Sequence, residues 1–165
     1  MTNLQKQIEN LNEDLFQQLP SAVTTSFADS IADLKNRDLE NNCVKVGMKI
    51  KPFNLTATDG KTISSEDLFN GSEKLILAFF RGIWCPYCNL EMKALQDWLP
   101  EITKNGVRLL GISPQQKEYN QTMKNDHQIQ FDLFQDENNA LAKSLGISFS
   151  LQDFVVPYYQ SLAVD

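Results

Sequence analysis

Residues 74–92 read KLILAFFRGIWCPYCNLEM, and a change of texture inside this stretch decides the fold. The unbroken apolar run Leu75–Phe80 predicts a β-strand buried on both faces. Beyond it the period becomes helical, with Cys88, Met92, Leu95 and Leu99 spaced four, three and four, and Pro100 marking a boundary near the end. Cys85 therefore sits where a strand gives way to a helix. Pro86 fits the first helical position, where its missing N–H costs nothing.

That placement gives the two cysteines different work. The unpaired N–H groups and positive dipole end of the helix face the Cys85 sulfur and favour a thiolate, a nucleophile near neutral pH. Cys88 lies one turn along the same helix face, close enough to attack a mixed disulfide or sulfenic acid on Cys85. On this pattern Cys85 is nearer the mouth and exposed, and Cys88 is more buried. A zinc half-site needs two further ligands, and the chain offers Cys43 and the single His127 without the paired spacing of zinc knuckles. Arg81 either holds the thiolate or is a strand-end charge in water. Trp84 either shields the cysteines and faces a partner or simply packs. Tyr87 reads as surface, modulating access. Cys43, in a polar linker, reads as a bystander or an intersubunit thiol, and His127 as solvated.

Composition narrows the class. With 165 residues, 42% hydrophobic and 22% charged, the chain can bury a substantial core. A net charge of -6 without any basic cluster argues against nucleic-acid or anionic-membrane partners. The N-terminus MTNLQKQIEN lacks an apolar signal stretch, and the longest apolar run is too short to cross a bilayer, so a cytoplasmic protein is expected. Three cysteines are too few for a disulfide scaffold, and in a reducing compartment a CxxC is metal-binding or catalytic.

Along the rest of the chain, Leu4, Ile8, Leu11 and Leu15, then Phe27, Ile31 and Leu34 after Pro20, predict an N-terminal helical arm over residues 1–42. Residues 43–165 form one α/β domain. FNLTATDGKTIS is a hairpin turning at Asp59-Gly60, leading into a small helix. VRLLGIS is a second buried strand, KEYNQTMKNDH a weak polar helix and IQFDLFQ a third strand. DENNALAKSLG is a helix capped by Asp136 and stopped by Gly146. Alternating strands and helices imply parallel pairs. The last segment, SFSLQDFVVPYYQSLAVD, is ambiguous and partly helical.

KVGMKIKPFNLTATDGKTISSEDL, FFRGIWCPYCNLEMKALQ, VRLLGISPQ and FDLFQDENNALAKSLGI together resemble the peroxiredoxin-like branch of the AhpC/TSA family, in the thioredoxin-fold superfamily. RGIWCPYC with the downstream GISPQ carries the likeness; CPYC alone is also similar to the glutaredoxin site. The resemblance implies a thioredoxin-like fold, a central mixed sheet flanked by helices. It implies thiol-dependent reduction of peroxides or disulfides, with Cys85 as nucleophile and Cys88 resolving. Neither a metal nor an organic cofactor is implied; electrons come from an external thiol donor of the thioredoxin or glutathione type. Two departures stand out. Family members carry proline and threonine where this chain has Ala78 and Gly82. They also continue into further strands beginning near a cis-proline, which SLAVD does not reach, so the C-terminal strands are expected to be missing. KLILAFF is then left with an open edge, a template for self-association. The expected function is a peroxiredoxin-like antioxidant oxidoreductase; the alternative is a redox-sensing or interaction protein of the same fold without turnover.

Overall fold

A computed structural model describes residues 3–69 and 74–161. The chain divides into two compact units, one joining residues up to Met48 with those from Leu145 onward, the other spanning Lys49–Ser144. In the first unit, α1 (Asn3–Gln18) and α2 (Ser21–Asn36) are the predicted pair of amphipathic helices. The apolar stripe of α1 is half-buried, and none of its residues is enclosed.

The sheet unit opens with β1 (Asn54–Ala57) and β2 (Thr62–Ser64), an antiparallel hairpin whose turn is closed by the Gly60 N–H donating to the Ala57 carbonyl at 2.9 Å. Ser64 then begins α3 (Ser65–Leu68) with a reciprocal capping box to Asp67. Next come β3 (Lys74–Phe79), α4 (Pro86–Lys104), β4 (Val107–Ser113), α5 (Lys117–His127), β5 (Asp132–Gln135) and α6 (Ala140–Ser144). The five strands lie in the order β2-β1-β5-β4-β3, parallel from β3 to β5 and antiparallel from β5 to β2. Pleating divides the apolar residues between two faces. Leu109 and Leu133 point toward Cys88, Met92 and Met123 of α4 and α5, and Leu110, Ile112 and Phe134 point the other way. The most enclosed strand is thus β4, flanked on both sides.

Three expectations are corrected. KLILAFF is not buried on both faces: β3 pairs with β4 alone among the described residues, and Ile76 is 39% exposed. An edge strand has neighbours on one side only, so an apolar run there cannot be fully covered. Pro100 does not end its helix. It deprives the Gln96 carbonyl of one partner, but α4 runs on to Lys104 because Leu95, Leu99 and Ile102 pack on the core around it. DENNALAKSLG is not one smooth helix. Asn138 and Asn139 are left-handed, at φ 56° and 55°, which divides a short 3₁₀ turn from α6. Asp136 still caps it, from a distance: its buried carboxylate accepts the Leu141 and Ala142 N–H groups at 2.8 and 2.9 Å.

The final segment, read above as the tail of the 43–165 domain, groups instead with the N-terminal helices. Buried Gln152 explains this. Its amide donates to the Ser30 carbonyl at 3.0 Å and to Asp33 Oδ2 at 2.7 Å, and its oxygen accepts from Ser30 Oγ at 2.7 Å. Phe27 also packs edge-on against Tyr158 and at a tilt against Tyr159 of α7 (Val156–Ser161). Residues 162–165 of that segment lie outside the described residues. No described helix is long and apolar enough to cross a membrane.

Asp136→Ala strands two buried N–H groups at once, and equilibrium denaturation should register a loss of about 1–3 kcal/mol.

Candidate active site

The segment between β3 and α4 is irregular, and side chains hold it. Phe80 extends the sheet by donating to the Ile112 carbonyl at 2.9 Å. Ser113 Oγ, at the end of β4, donates to the Arg81 carbonyl at 3.2 Å. The Cys85 N–H turns back onto the Gly82 carbonyl at 3.1 Å. Cys85 is then the N-cap of α4, with φ -89° and ψ 109°, and Pro86 occupies the first turn. An N-cap normally offers an oxygen to the free amides of the first turn. Here sulfur does so, accepting the Cys88 N–H at 3.4 Å.

Two stronger donors converge on the same atom. The Cys88 thiol points at Cys85 Sγ from 2.8 Å, and Arg81 Nη2 donates to it from 3.0 Å. Burial opposes the charge, but the donors outweigh it. The Cys88 thiol is the largest contributor, and the Cys85 thiol is pushed down to about 6. Cys88 moves the opposite way, well above the ordinary thiol range, because its proton is engaged by Cys85 and its surroundings are dry. The Arg81 N–H, donating to Cys88 Sγ at 3.4 Å, only partly offsets this. The donors therefore favour the thiolate at Cys85, which accepts from the Cys88 thiol, the Arg81 guanidinium and the Cys88 N–H, over one at Cys88.

The expected exposure of Cys85 is not what the fold delivers. Cys85 is 0% exposed and Cys88 7% exposed. Arg81 folds back onto the sulfur while remaining exposed to water, and its guanidinium also lies 4.9 Å from the centre of the Trp84 ring. Trp84 keeps an outer edge, 39% exposed, and Pro86 is exposed. Tyr87 is not a surface residue: it is half-buried and packs against the core that holds both cysteines. Cys43 belongs to the other unit, where its thiol donates to the Leu39 and Gly146 carbonyls at 3.3 and 3.2 Å. His127 ends α5.

Gly82 stands where the resemblance described above leads one to expect threonine. A Cβ there would meet Trp84 Nε1 at 2.6 Å and Gln115 Oε1 at 3.1 Å, so the space a side chain would need is already filled. Sequence reasoning missed three further residues around this loop: Asn89, Gln115 and Asn120. Only Gln115 left a signal, as the last residue of GISPQ. Asn89 and Asn120 read as the polar faces of their helices.

A strand that delivers a cysteine thiolate to a helix N-terminus, with a second thiol one turn on, defines a thiol-redox protein, and the mixed sheet around it is thioredoxin-like. The AhpC/TSA family model matches residues 46–161, and the chain belongs to that family. Over 115 residues it is 29% identical to "Putative peroxiredoxin bcp" of Coxiella burnetii, covering 70% of this chain and 75% of that protein. Over 106 residues it is 27% identical to Peroxiredoxin Bcp of Escherichia coli K12, covering 64% and 67%. Among solved structures, the peroxidoxin BcpB of Mycobacterium tuberculosis superposes with a TM-score of 0.59 at 19% identity, over 66% of this chain and 70% of that one. The protein is a thiol-dependent oxidoreductase of the peroxiredoxin type.

Iodoacetamide alkylation of Cys85 should rise with pH through a midpoint near 6, since only the thiolate reacts. Cys88→Ala and Arg81→Ala should each move that midpoint upward, Cys88→Ala the further. Mass-spectrometric rate profiles from pH 4 to 9 measure both.

Proposed function

We propose that the protein reduces small hydroperoxides, with Cys85 as the nucleophile, Cys88 as the resolving thiol and an external thiol as the electron source. The burial of Cys85 carries this choice of substrate. A sulfur with no exposed surface, held against the Arg81 guanidinium, suits an oxidant of a few atoms better than a disulfide on another protein, which must bring its own sulfur in line. The naming of its relatives as peroxiredoxins supports the same reading.

The chemistry follows from the two protonation states. The Cys85 thiolate attacks one peroxide oxygen; the O–O bond breaks, and the remaining alkoxide or hydroxide leaves, taking a proton from solvent. Cys85 is oxidised to a sulfenic acid and the peroxide reduced to an alcohol or water. Arg81 stabilises the thiolate before attack and the negative charge that develops on oxygen during it. Cys88 then attacks the sulfenic sulfur. The S–O bond breaks and the hydroxyl departs as water with the Cys88 proton. The two sulfurs need only close from 2.8 Å to the roughly 2.05 Å of a disulfide, so resolution requires no unfolding of α4. Two reducing equivalents from the external donor, by thiol–disulfide exchange, restore the pair.

A recycling pair distinguishes this reading from a sensor that oxidises once. Reduced protein given hydrogen peroxide should lose two thiols per chain, regain them with a dithiol, and turn over repeatedly. Cys85→Ser should abolish consumption, whereas Cys88→Ser should still react once and accumulate a dimedone-trappable sulfenic acid on Cys85. Peroxide consumption by Cys85→Ser at the wild-type rate would remove the assignment.

We also infer that the chain forms a homo-oligomer, a second copy pairing along β3. The unpaired edge of that apolar strand among the described residues supports this. Light scattering should give a mass of two chains or more, and Ile76→Lys should lower it; a monomer at high concentration refutes the pairing.

A further inference from the structure

We propose that Gln115 is a positioning residue for the reaction at Cys85: with Asn89 it clamps the backbone at Ile83, and so holds Arg81, with its guanidinium against Trp84, onto the sulfur. The proposal rests on Cys85 being the reactive thiol, as assigned above, but not on the identity of the oxidant.

Ile83 lies midway between Arg81 and Cys85 in the irregular segment, outside any strand or helix ladder. Both of its backbone groups are taken by side-chain amides. Gln115 Oε1 accepts the Ile83 N–H at 2.8 Å, and Asn89 Nδ2 donates to the Ile83 carbonyl at 2.9 Å. Together they fix the two peptide units that flank the Ile83 Cα, one through its N–H and the other through its carbonyl.

A carboxamide can present either end, and a third residue fixes which. Gln115 Nε2 donates to Asn120 Oδ1 at 2.7 Å, and Asn120 is 0% exposed, so water does not compete for that contact. The oxygen of Gln115 is thereby committed to Ile83. The backbone of Gln115 is tied to the same loop: its N–H donates to Ser113 Oγ at 3.2 Å, and that hydroxyl donates to the Arg81 carbonyl. Residues at the end of β4 thus hold the loop at both Arg81 and Ile83.

The bare backbone at Gly82 fits this arrangement. The Trp84 indole and the Gln115 oxygen both stand in the volume a side chain would use. Stability alone does not account for the cluster. Asn89 Oδ1 and Asn120 Nδ2 are buried without a hydrogen-bond partner among the described residues, a penalty that apolar side chains would avoid. Carboxamides are needed where a peptide must be held in one orientation.

The test reads the thiolate directly, through the pH profile of Cys85 alkylation, so it stays informative whatever the peroxide assays give. Gln115→Met keeps the side chain's length and removes its acceptor. At pH 6 its alkylation rate should fall roughly three-fold or more, recovering at pH 9, as expected when a thiolate loses an aligned cation. In the Arg81→Ala background the same change should add nothing, because its effect passes through Arg81. Asn120→Leu should shift the profile in the same direction and Asn120→Asp, which retains the acceptor for Gln115, should not. If Gln115→Met does not fold by circular dichroism, Gln115→Asn, whose oxygen is withdrawn by one methylene, is read in its place. A wild-type profile in the folded variant, or a shift that adds in full to Arg81→Ala, overturns the proposal.

Discussion

One proton between two sulfurs 2.8 Å apart is the constraint around which the sheet unit is arranged. Neither a lone buried thiol nor two free ones would give a charged nucleophile here, because burial works against the thiolate. It is the asymmetry that matters. Cys85 receives the α4 amide and the Arg81 guanidinium; Cys88, one turn along α4, keeps its proton and directs it at its partner. That asymmetry depends on β3 ending where it does, on Pro86 starting the helix at once, and on β4 supplying the hydroxyl and amide that fix the loop between them.

Much of this was written locally in the chain, and what was not has identifiable causes. The strand-to-helix junction, the hairpin at Asp59-Gly60 and the buried strand β4 each rest on periodicity or turn chemistry within a few residues, and each forms as read. The position of the Arg81 side chain does not. A flexible cation beside a strand end carries no periodic signature, and whether it turns inward depends on the thiolate and indole that meet it. Asn120 was hidden for a related reason. In a helix as polar as α5 an asparagine looks solvated, yet this one is fully enclosed because a glutamine five residues earlier needs an acceptor. The attachment of the final segment to α2 was equally illegible, since Gln152 and Ser30 are 122 residues apart. Pro100 shows the converse: a strong local stop signal was overridden by packing on either side of it.

Gly82, one of the positions where the family resemblance leads one to expect another residue, lies within the loop that carries Arg81 and Cys85. The absence of a side chain leaves room for Trp84 and Gln115, and Arg81, one residue earlier in the same loop, donates to the Cys85 sulfur. The thiolate is held here by a guanidinium that lies against an indole, while that indole and the Gln115 oxygen fill the space beside Gly82.

The capping of α4 by a sulfur anion has a further consequence, for the oxidised enzyme. Once Cys85 joins Cys88 in a disulfide its charge is gone, and with it the helix cap and the contact with Arg81. Every interaction that favours the thiolate stabilises the reduced protein relative to the oxidised one, and raises the reduction potential of the pair. The grip that makes Cys85 quick to attack thus also leaves its disulfide easy to open, so the two halves of the cycle draw on a single electrostatic arrangement.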